Sequence, residues 1–307
     1  MKEQSAKQGL LSMGGHRADI ELAAEREAAR AGHAEVGFEH LLLGALVIGG
    51  PGARLLMDAG LDLTGARAAI DAVLREDLAL LDIDLSATTL PAGGDETVGL
   101  PRSERVSELL VDCPWSGGDV ALIAALIDDG GGRVRRLLEH AGTDPDQLRA
   151  GLDGLSPAPL VAAEPVPGAV PEGWDGIAVE AEVPVSADRL WALVRDPERR
   201  GEWDPARMEA RVVGEGVVEL VSPGRPPLRE TLTFWSEGRD LTWSRSSGEH
   251  RQELRVTVEP LGDRARLRLD KRWPSAILHR RIANRLLRWF VRKQMRIQIQ
   301  VITQVAA

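Results

Sequence analysis

Between Ser156 and Glu172 the chain reads SPAPLVAAEPVPGAVPE, and this segment constrains the fold more than any other. Proline at that density removes backbone donors and fixes φ, so neither a helix nor a central strand runs through it. It predicts an extended, semi-rigid spacer. The hydrophobic period changes across it. Upstream, apolar residues recur at helical spacing and no stretch sustains period-two alternation; downstream, alternation dominates. Two separately built domains follow, and 307 residues suffice for two cores. Charge and aromatics divide at the same place: residues 1–173 carry a formal −14 and residues 174–307 a formal +5, and seven of eight tryptophans lie at or after Trp174.

Composition excludes several classes. One cysteine, Cys113, rules out an intramolecular disulfide and a multi-cysteine zinc site. The opening MKEQSAKQGL lacks the apolar core of a signal peptide, and the longest apolar run, Leu41–Gly49, is too short to cross a bilayer. A cytoplasmic protein without a membrane partner is expected. The acidic balance argues against nucleic acid as a partner. Only four lysines stand against 34 arginines, a bias associated with high-GC bacterial genomes.

Before the spacer, Ala18–Ala31 is rich in strong helix formers, and Phe38–Val47 reads as a short buried helix. Leu55–Ala59 ends at Gly60, a C-cap residue, and Leu63–Leu78 is helical with Thr64 placed to cap it. The segment LLMDAGLD at 55–62 returns as LLEHAGTD at 137–144, each followed by a capped helix and preceded by an apolar one. Two four-helix units, about 80 residues apart, predict a pseudo-twofold all-α domain.

After the spacer, Ile177–Val183, Leu228–Phe234, Leu241–Arg245, Leu254–Val258 and Ala265–Leu269 alternate, separated by turn residues such as Ser222-Pro223-Gly224 and Leu261-Gly262-Asp263. A helix from the cap Ser186 through Ala187–Arg195, and a long one from near Ser275 almost to the C-terminus, bracket these strands. The expectation is an α+β domain, an antiparallel sheet wrapped on a long C-terminal helix. Leu278, Ile282, Leu286, Trp289 and Phe290 would form the inward helix stripe.

The first repeat, Ala28-Ala29-Arg30-Ala31-Gly32-His33 then Val36-Gly37-Phe38-Glu39-His40-Leu41-Leu42-Leu43-Gly44, resembles the A-x-x-x-GHxxIGTEHLLLGL signature of the Clp N-terminal (double Clp repeat) domain. The second copy keeps Leu100-Pro101-Arg102-Ser103-Glu104-Arg105-Val106 but shortens the His block to Cys113-Pro114-Trp115-Ser116-Gly117-Gly118-Asp119-Val120. The resemblance covers residues 13–154. It implies a non-catalytic module that docks adaptors, substrates or phosphoarginine tags, with Glu39 and Asp119 at the tag-binding positions. The threonines that open each family repeat are absent, standing near Gly14 and Leu100. No G-x-x-x-x-G-K-[ST] string occurs, so no ATPase activity is expected of this sequence.

The stretch from Ala181 to Pro205, with Trp191 and Trp203-x-Pro205, resembles the START-like helix-grip superfamily in its polyketide cyclase/dehydrase branch. Residues 173–307 form that domain, with 155–172 as linker. The resemblance implies an apolar cavity between sheet and helix. Alternation and helix spacing nominate Trp203, Glu230, Leu232, Phe234, Trp243, Arg245, Ile282, Leu286 and Phe290 for its wall, though plain core packing accounts for most of the aliphatics.

No metal-ligand spacing and no nucleophile elbow appears, so no catalytic residue, metal or cofactor is assigned. The leading expectation is a non-enzymatic binding protein: a Clp-type recognition module coupled to a domain for a hydrophobic small molecule. Its partners would be Clp protease components or their substrates and adaptors, and its role that of adaptor, decoy or regulator. The alternative is a polyketide cyclase- or dehydratase-like enzyme. Walls of aliphatics alone would favour binding, and convergence of Glu230, Arg245 and His250 would favour catalysis.

Overall fold

The computed structural model describes residues 2–81, 99–155, 165–206, 208–224, 226–236, 239–247, 250–275 and 281–307. It divides into two units, 1–162 and 163–307.

The first unit contains two runs of four helices. The first is α1 (Lys2–Arg30), α2 (Phe38–Ile48), α3 (Pro51–Asp58) and α4 (Leu63–Ala79); the second is α5 (Glu104–Asp112), α6 (Gly118–Asp128), α7 (Arg133–His140) and α8 (Pro145–Asp153). The repeated LLxxAG motif ends α3 and α7 in the same way. Gly60 and Gly142 both take positive φ, and the next amide reaches back, Leu61 N to Leu56 O (3.0 Å) and Thr143 N to Leu138 O (2.8 Å). Asp62, rather than Thr64, caps α4, accepting from Gly65 N at 2.6 Å; its counterpart Asp144 caps α8.

The two apolar helices α2 and α6 lie at the centre, with Leu41, Leu42, Leu46, Leu122, Ile123 and Leu126 almost wholly buried. Gly44 lets α1 approach closely: a Cβ there would meet Ile20 O at 2.4 Å. The openings of the two repeats are tied by Val36, whose N–H donates to Pro101 O (2.8 Å) and whose carbonyl accepts from Ser103 N (3.1 Å). Inside, Glu27 is fully buried and receives a two-pronged bond from Arg67 at 2.8 and 3.0 Å.

The second unit is one antiparallel sheet, a short helix and a long one. Its elements are β1 (Trp174–Val183), α9 (Ala187–Val194), β2 (Glu209–Gly214), β3 (Val217–Val221), β4 (Leu228–Ser236), β5 (Asp240–Ser247), β6 (His250–Leu261), β7 (Arg264–Pro274) and α10 (Arg281–Ala306). The strand order is β1-β7-β6-β5-β4-β3-β2, so the first strand closes against the last and the rest form a meander. Strands β2 and β3, absent from the sequence reading, occupy the far edge. Val212 and Val213 on β2 are exposed there, so that strand carries no clean inside–outside alternation. Ser186 caps α9 as expected.

The helix stripe that meets the sheet runs through Val291, Met295, Ile299 and Ile302. Trp289 and Phe290, expected on it, are 61% and 50% exposed. Packing selects the phase of an amphipathic helix, and among the described side chains it selects Leu287, Val291, Met295, Ile299 and Ile302 rather than Trp289 and Phe290.

The proline-rich segment is not a free spacer throughout. Its described part docks on β7: Gly168 N donates to Asp270 Oδ1 at 2.9 Å, and Arg268 reaches Val166 O. This strap belongs to the second unit. Fragments 1–162 and 163–307 should each melt cooperatively. A fragment starting at residue 172 should melt roughly 5 °C below one starting at 163, the effect of about 1–2 kcal/mol of lost hydrogen bonding. Calorimetry on the three fragments measures this.

Candidate functional site

Register assembles the site on the inner face of the sheet. Glu230 on β4 pairs across to Arg245 on β5, which pairs to Gln252 on β6. The adjacent row runs Leu232, Trp243, Leu254, Lys271 and Ile177 across β4, β5, β6, β7 and β1. One row is polar, and the other is apolar except for its lysine.

The segment after α9 folds back onto these rows and inserts Arg200, Trp203 and Asp204, all buried. Arg200 Nε lies 2.7 Å from Glu230 Oε2, and its Nη2 reaches Glu230 Oε1 at 3.2 Å and Asp204 Oδ2 at 3.4 Å. Arg245 joins the same acceptors, Nε to Glu230 Oε1 at 2.7 Å and Nη2 to Asp204 Oδ2 at 3.2 Å. Asp204 Oδ1 accepts from Ala206 N at 3.0 Å, which fixes the turn. The guanidinium of Arg200 lies 3.9 Å from the Trp203 ring centre and 5.6 Å from that of Trp243, a cation–π stack out of water. Trp243 Nε1 donates to Val194 O at 3.3 Å. Burial opposes the charge on Arg245, but Glu230 and Asp204 outweigh it and hold its pKa above the ordinary value.

Beside this cluster opens a cavity of about 370 Å³. Glu230, Arg245, Arg200 and Asp204 form its charged end; Trp243, Leu254, Met208 and Met295 give apolar wall; Gln294 and Gln298 of α10 face them. Lys271 lines it as well, and among the described residues no hydrogen bond or ion pair holds its ammonium. Burial, reinforced by Arg245, pulls the Lys271 pKa below the ordinary lysine value.

Of the wall residues nominated from sequence, Glu230, Trp243 and Arg245 line the cavity. Trp203 is fully buried behind it, stacked on Arg200, and Leu232 packs against the apolar core. The side chains of Phe234, Ile282, Leu286 and His250 lie outside the described residues. Phe290 faces solvent, so the helix contribution is Gln294, Met295 and Gln298, one to two turns further on. Lys271 was missed, although one more step of the alternation Ala265, Leu267, Leu269 reaches it. Arg200 and Asp204 sit in a loop, where no period announces them.

In the helical unit, Asp119 faces the start of a helix in the other repeat, and Glu39 lies near an arginine of another. Asp119 is buried; its Oδ2 accepts from Ala53 N of α3 at 2.9 Å and its Oδ1 lies 3.8 Å from His16 Nε2. A Cβ on Gly50 would sit 2.4 Å from that carboxylate. Asp119 is thus an internal cap with no open face for a guanidinium. Glu39 lies 3.7 Å from Arg133 at the start of α7.

His40 Nδ1 accepts from Gly37 N at 2.8 Å, which leaves the proton on Nε2 to bridge His33 Nδ1 at 2.7 Å. Glu39 brings a third ligand atom within 4.8 Å of these two. The nitrogen separation suits a hydrogen bond and is too short for two ligands, each about 2.0–2.1 Å from a tetrahedral ion.

Residues 176–306 match the family described as "Polyketide cyclase / dehydrase and lipid transport". Together with the seven-stranded antiparallel sheet and its long C-terminal helix, this makes the second unit a START-like helix-grip domain. The N-terminal region is of the Clp N-domain type. The chain is 31% identical over 132 residues to the ATP-dependent Clp protease ATP-binding subunit ClpA homolog, chloroplastic, of Brassica napus, and equally to chaperone protein ClpC1, chloroplastic, of Arabidopsis thaliana. Each match covers 41% of this chain but only 14% and 13% of those proteins. Among solved structures, a START superfamily protein from Mycobacterium smegmatis aligns at 17% identity and TM-score 0.34, covering 42% of this chain and 98% of that one. Norcoclaurine synthase from Thalictrum flavum aligns at 18% and 0.33, covering 41% and 84%.

Two outcomes test the electrostatics. Glu230→Gln leaves buried Arg200 and half-buried Arg245 with Asp204 as their one shared carboxylate and should destabilise fragment 163–307 by about 3 kcal/mol, whereas Arg199→Gln, which breaks only the exposed 2.8 Å pair with Glu202, should cost less than about 1 kcal/mol. Urea titrations of both measure the difference. Burial lowers the His40 pKa to about 4. The unfolded chain therefore binds the proton first, and stability falls as pH drops from about 6.5 towards 4, by up to about 3 kcal/mol. Fragment 1–162 should show this slope in urea unfolding, and His40→Gln should flatten it.

Proposed function

We propose that this chain is a small-molecule-binding protein carrying a Clp-type recognition domain, in which the helix-grip cavity holds an amphipathic ligand and the helical unit docks a protein partner. The carrying observation is the cavity of about 370 Å³ with an apolar wall at Trp243, Leu254 and Met295 and a pre-ordered charged end at Arg200, Asp204, Glu230 and Arg245. Pockets that combine apolar surface with a few fixed polar groups bind organic ligands in a defined orientation. The ligand has a hydrophobic body and a polar group, not an unbroken hydrocarbon surface.

The Clp side of the reading rests on the similarity of the N-terminal region to ClpA- and ClpC-type proteins. The partner would be a Clp component, or a substrate or adaptor of one. With Asp119 committed internally, docking would use the domain's outer surface rather than a pair of tag-binding carboxylates.

The test uses 1-anilinonaphthalene-8-sulfonate, an aromatic probe with a polar group, and Leu228→Trp, which places an indole in the cavity from a partly exposed position. The full chain should bind one probe, and the variant should bind it at least tenfold more weakly, about 1.4 kcal/mol, with an unchanged melting temperature. Equal affinity in the folded variant would remove the cavity from the reading.

A further inference from the structure

Two charged residues line the cavity without joining the ion cluster: Glu253, which pairs with Arg251 at 3.0 Å, and Lys271, for which no ion pair is found among the described residues. Its register partners are Ile177 and Leu254, both buried and apolar. The charged groups acting on it are Arg245 and Arg200, which disfavour its proton, and Asp204 and Glu230, which favour it but are already shared by those two guanidiniums. The helix wall opposite, Gln294, Met295 and Gln298, brings no charge.

An ammonium in such a place costs more than an exposed one, so the neutral amine is favoured over that of a surface lysine, in line with the downward pKa. Desolvation and a neighbouring cation are the two environments that make lysine a nucleophile. The space beside Lys271 is open to a ligand, and the guanidiniums in the same wall suit negative charge developing on an oxygen.

Resting on the cavity reading above, we propose that Lys271 is a reactive amine that captures an aldehyde or ketone bound in the cavity as an imine. The Nζ lone pair attacks the carbonyl carbon and the C–N bond forms. The carbonyl oxygen then leaves as water with the two hydrogens of the amine, and the C=N bond remains. No oxidant or reductant enters, and water reverses the step. The ligand class is a carbonyl compound with an aromatic or aliphatic body sized to the cavity. The fate of the imine, release or carbon–carbon bond chemistry beside it, is set by the ligand.

The scarcity of lysine makes the test clean, because only Lys2, Lys7, Lys271, Lys293 and the terminal amine can react. The full chain is incubated near neutral pH with benzaldehyde and cyanoborohydride, which fixes any imine as a stable benzylamine, and peptide mapping locates it. Lys271 should be labelled at least tenfold faster than exposed Lys293. Benzyl alcohol, which fills the same space without a carbonyl, should slow labelling at Lys271 and leave Lys293 unaffected. Lys271→Arg should lose the fast label at an unchanged melting temperature. Labelling of Lys271 no faster than of Lys293 overturns the imine. If the anilinonaphthalene probe still binds, the cavity reading survives that failure; if it does not, both fall.

Discussion

Two carboxylates shared by two guanidiniums decide where the core of the second unit stops and its cavity begins. Glu230 comes from a central strand, Arg245 from its neighbour, and Arg200 and Asp204 from one loop, so the cluster pins that loop to the middle of the sheet. Burying such a group is a poor route to stability, since well-packed apolar residues of similar volume often do as well. Its persistence at the cavity end is better explained by what it offers a ligand: fixed donors and acceptors that need no rearrangement on binding. Trp203 and Trp243 stack on Arg200 and dry the cluster, which strengthens each of its ion pairs.

The helical unit uses charge differently. At the two positions where the Clp resemblance implies tag-binding carboxylates, Asp119 faces the start of α3 in the opposite repeat, while Glu39 pairs with the Arg133 side chain of α7. A helix start has free amides and a partial positive charge, so a carboxylate there is a structural fastener. In the shortened second repeat the fastening is close: Gly50 admits the Asp119 carboxylate to a distance no side chain there would allow, and Gly52 leaves it little more room.

The fold was legible because its signals are periodic or covalent. Proline density, the change of period, the doubled LLxxAG ending and the alternation of five strands each rest on backbone geometry that any environment respects. The site was legible only where it lay on that periodicity. Glu230, Trp243 and Arg245 fell on the inner face by counting twos, and Lys271 would have done so with one further step. The loop residues Arg200 and Asp204 carry no period, and their meaning comes from ion pairs 30 and 41 positions away. Trp289 and Phe290 fall off the covered stripe because α10 is amphipathic over its length, and only the sheet beneath tells which positions are covered. Thus Phe290 was placed inside although it faces solvent. Leu278 and the side chains of Ile282 and Leu286 lie outside the described residues.

Strand β7 shows how tightly these parts constrain one another. Its inner face presents Leu267, Leu269, Lys271 and Trp273, and its outer face Arg268, Asp270 and Arg272. Asp270 anchors the proline-rich strap through Gly168, while one residue on, Lys271 lines the cavity. Alternate residues of a strand point to opposite faces, so a slip of one position would bury Asp270 in the cavity and offer Lys271 to the strap. The slip would break the Asp270–Gly168 bond and turn the apolar residues Leu267 and Leu269 out of the core. The register of β7 against β1 and β6 is therefore enforced from both faces at once, by apolar packing within and by the Asp270–Gly168 bond without. The amine's position is a consequence of that register, and any substitution that loosens the strap acts on the cavity through it.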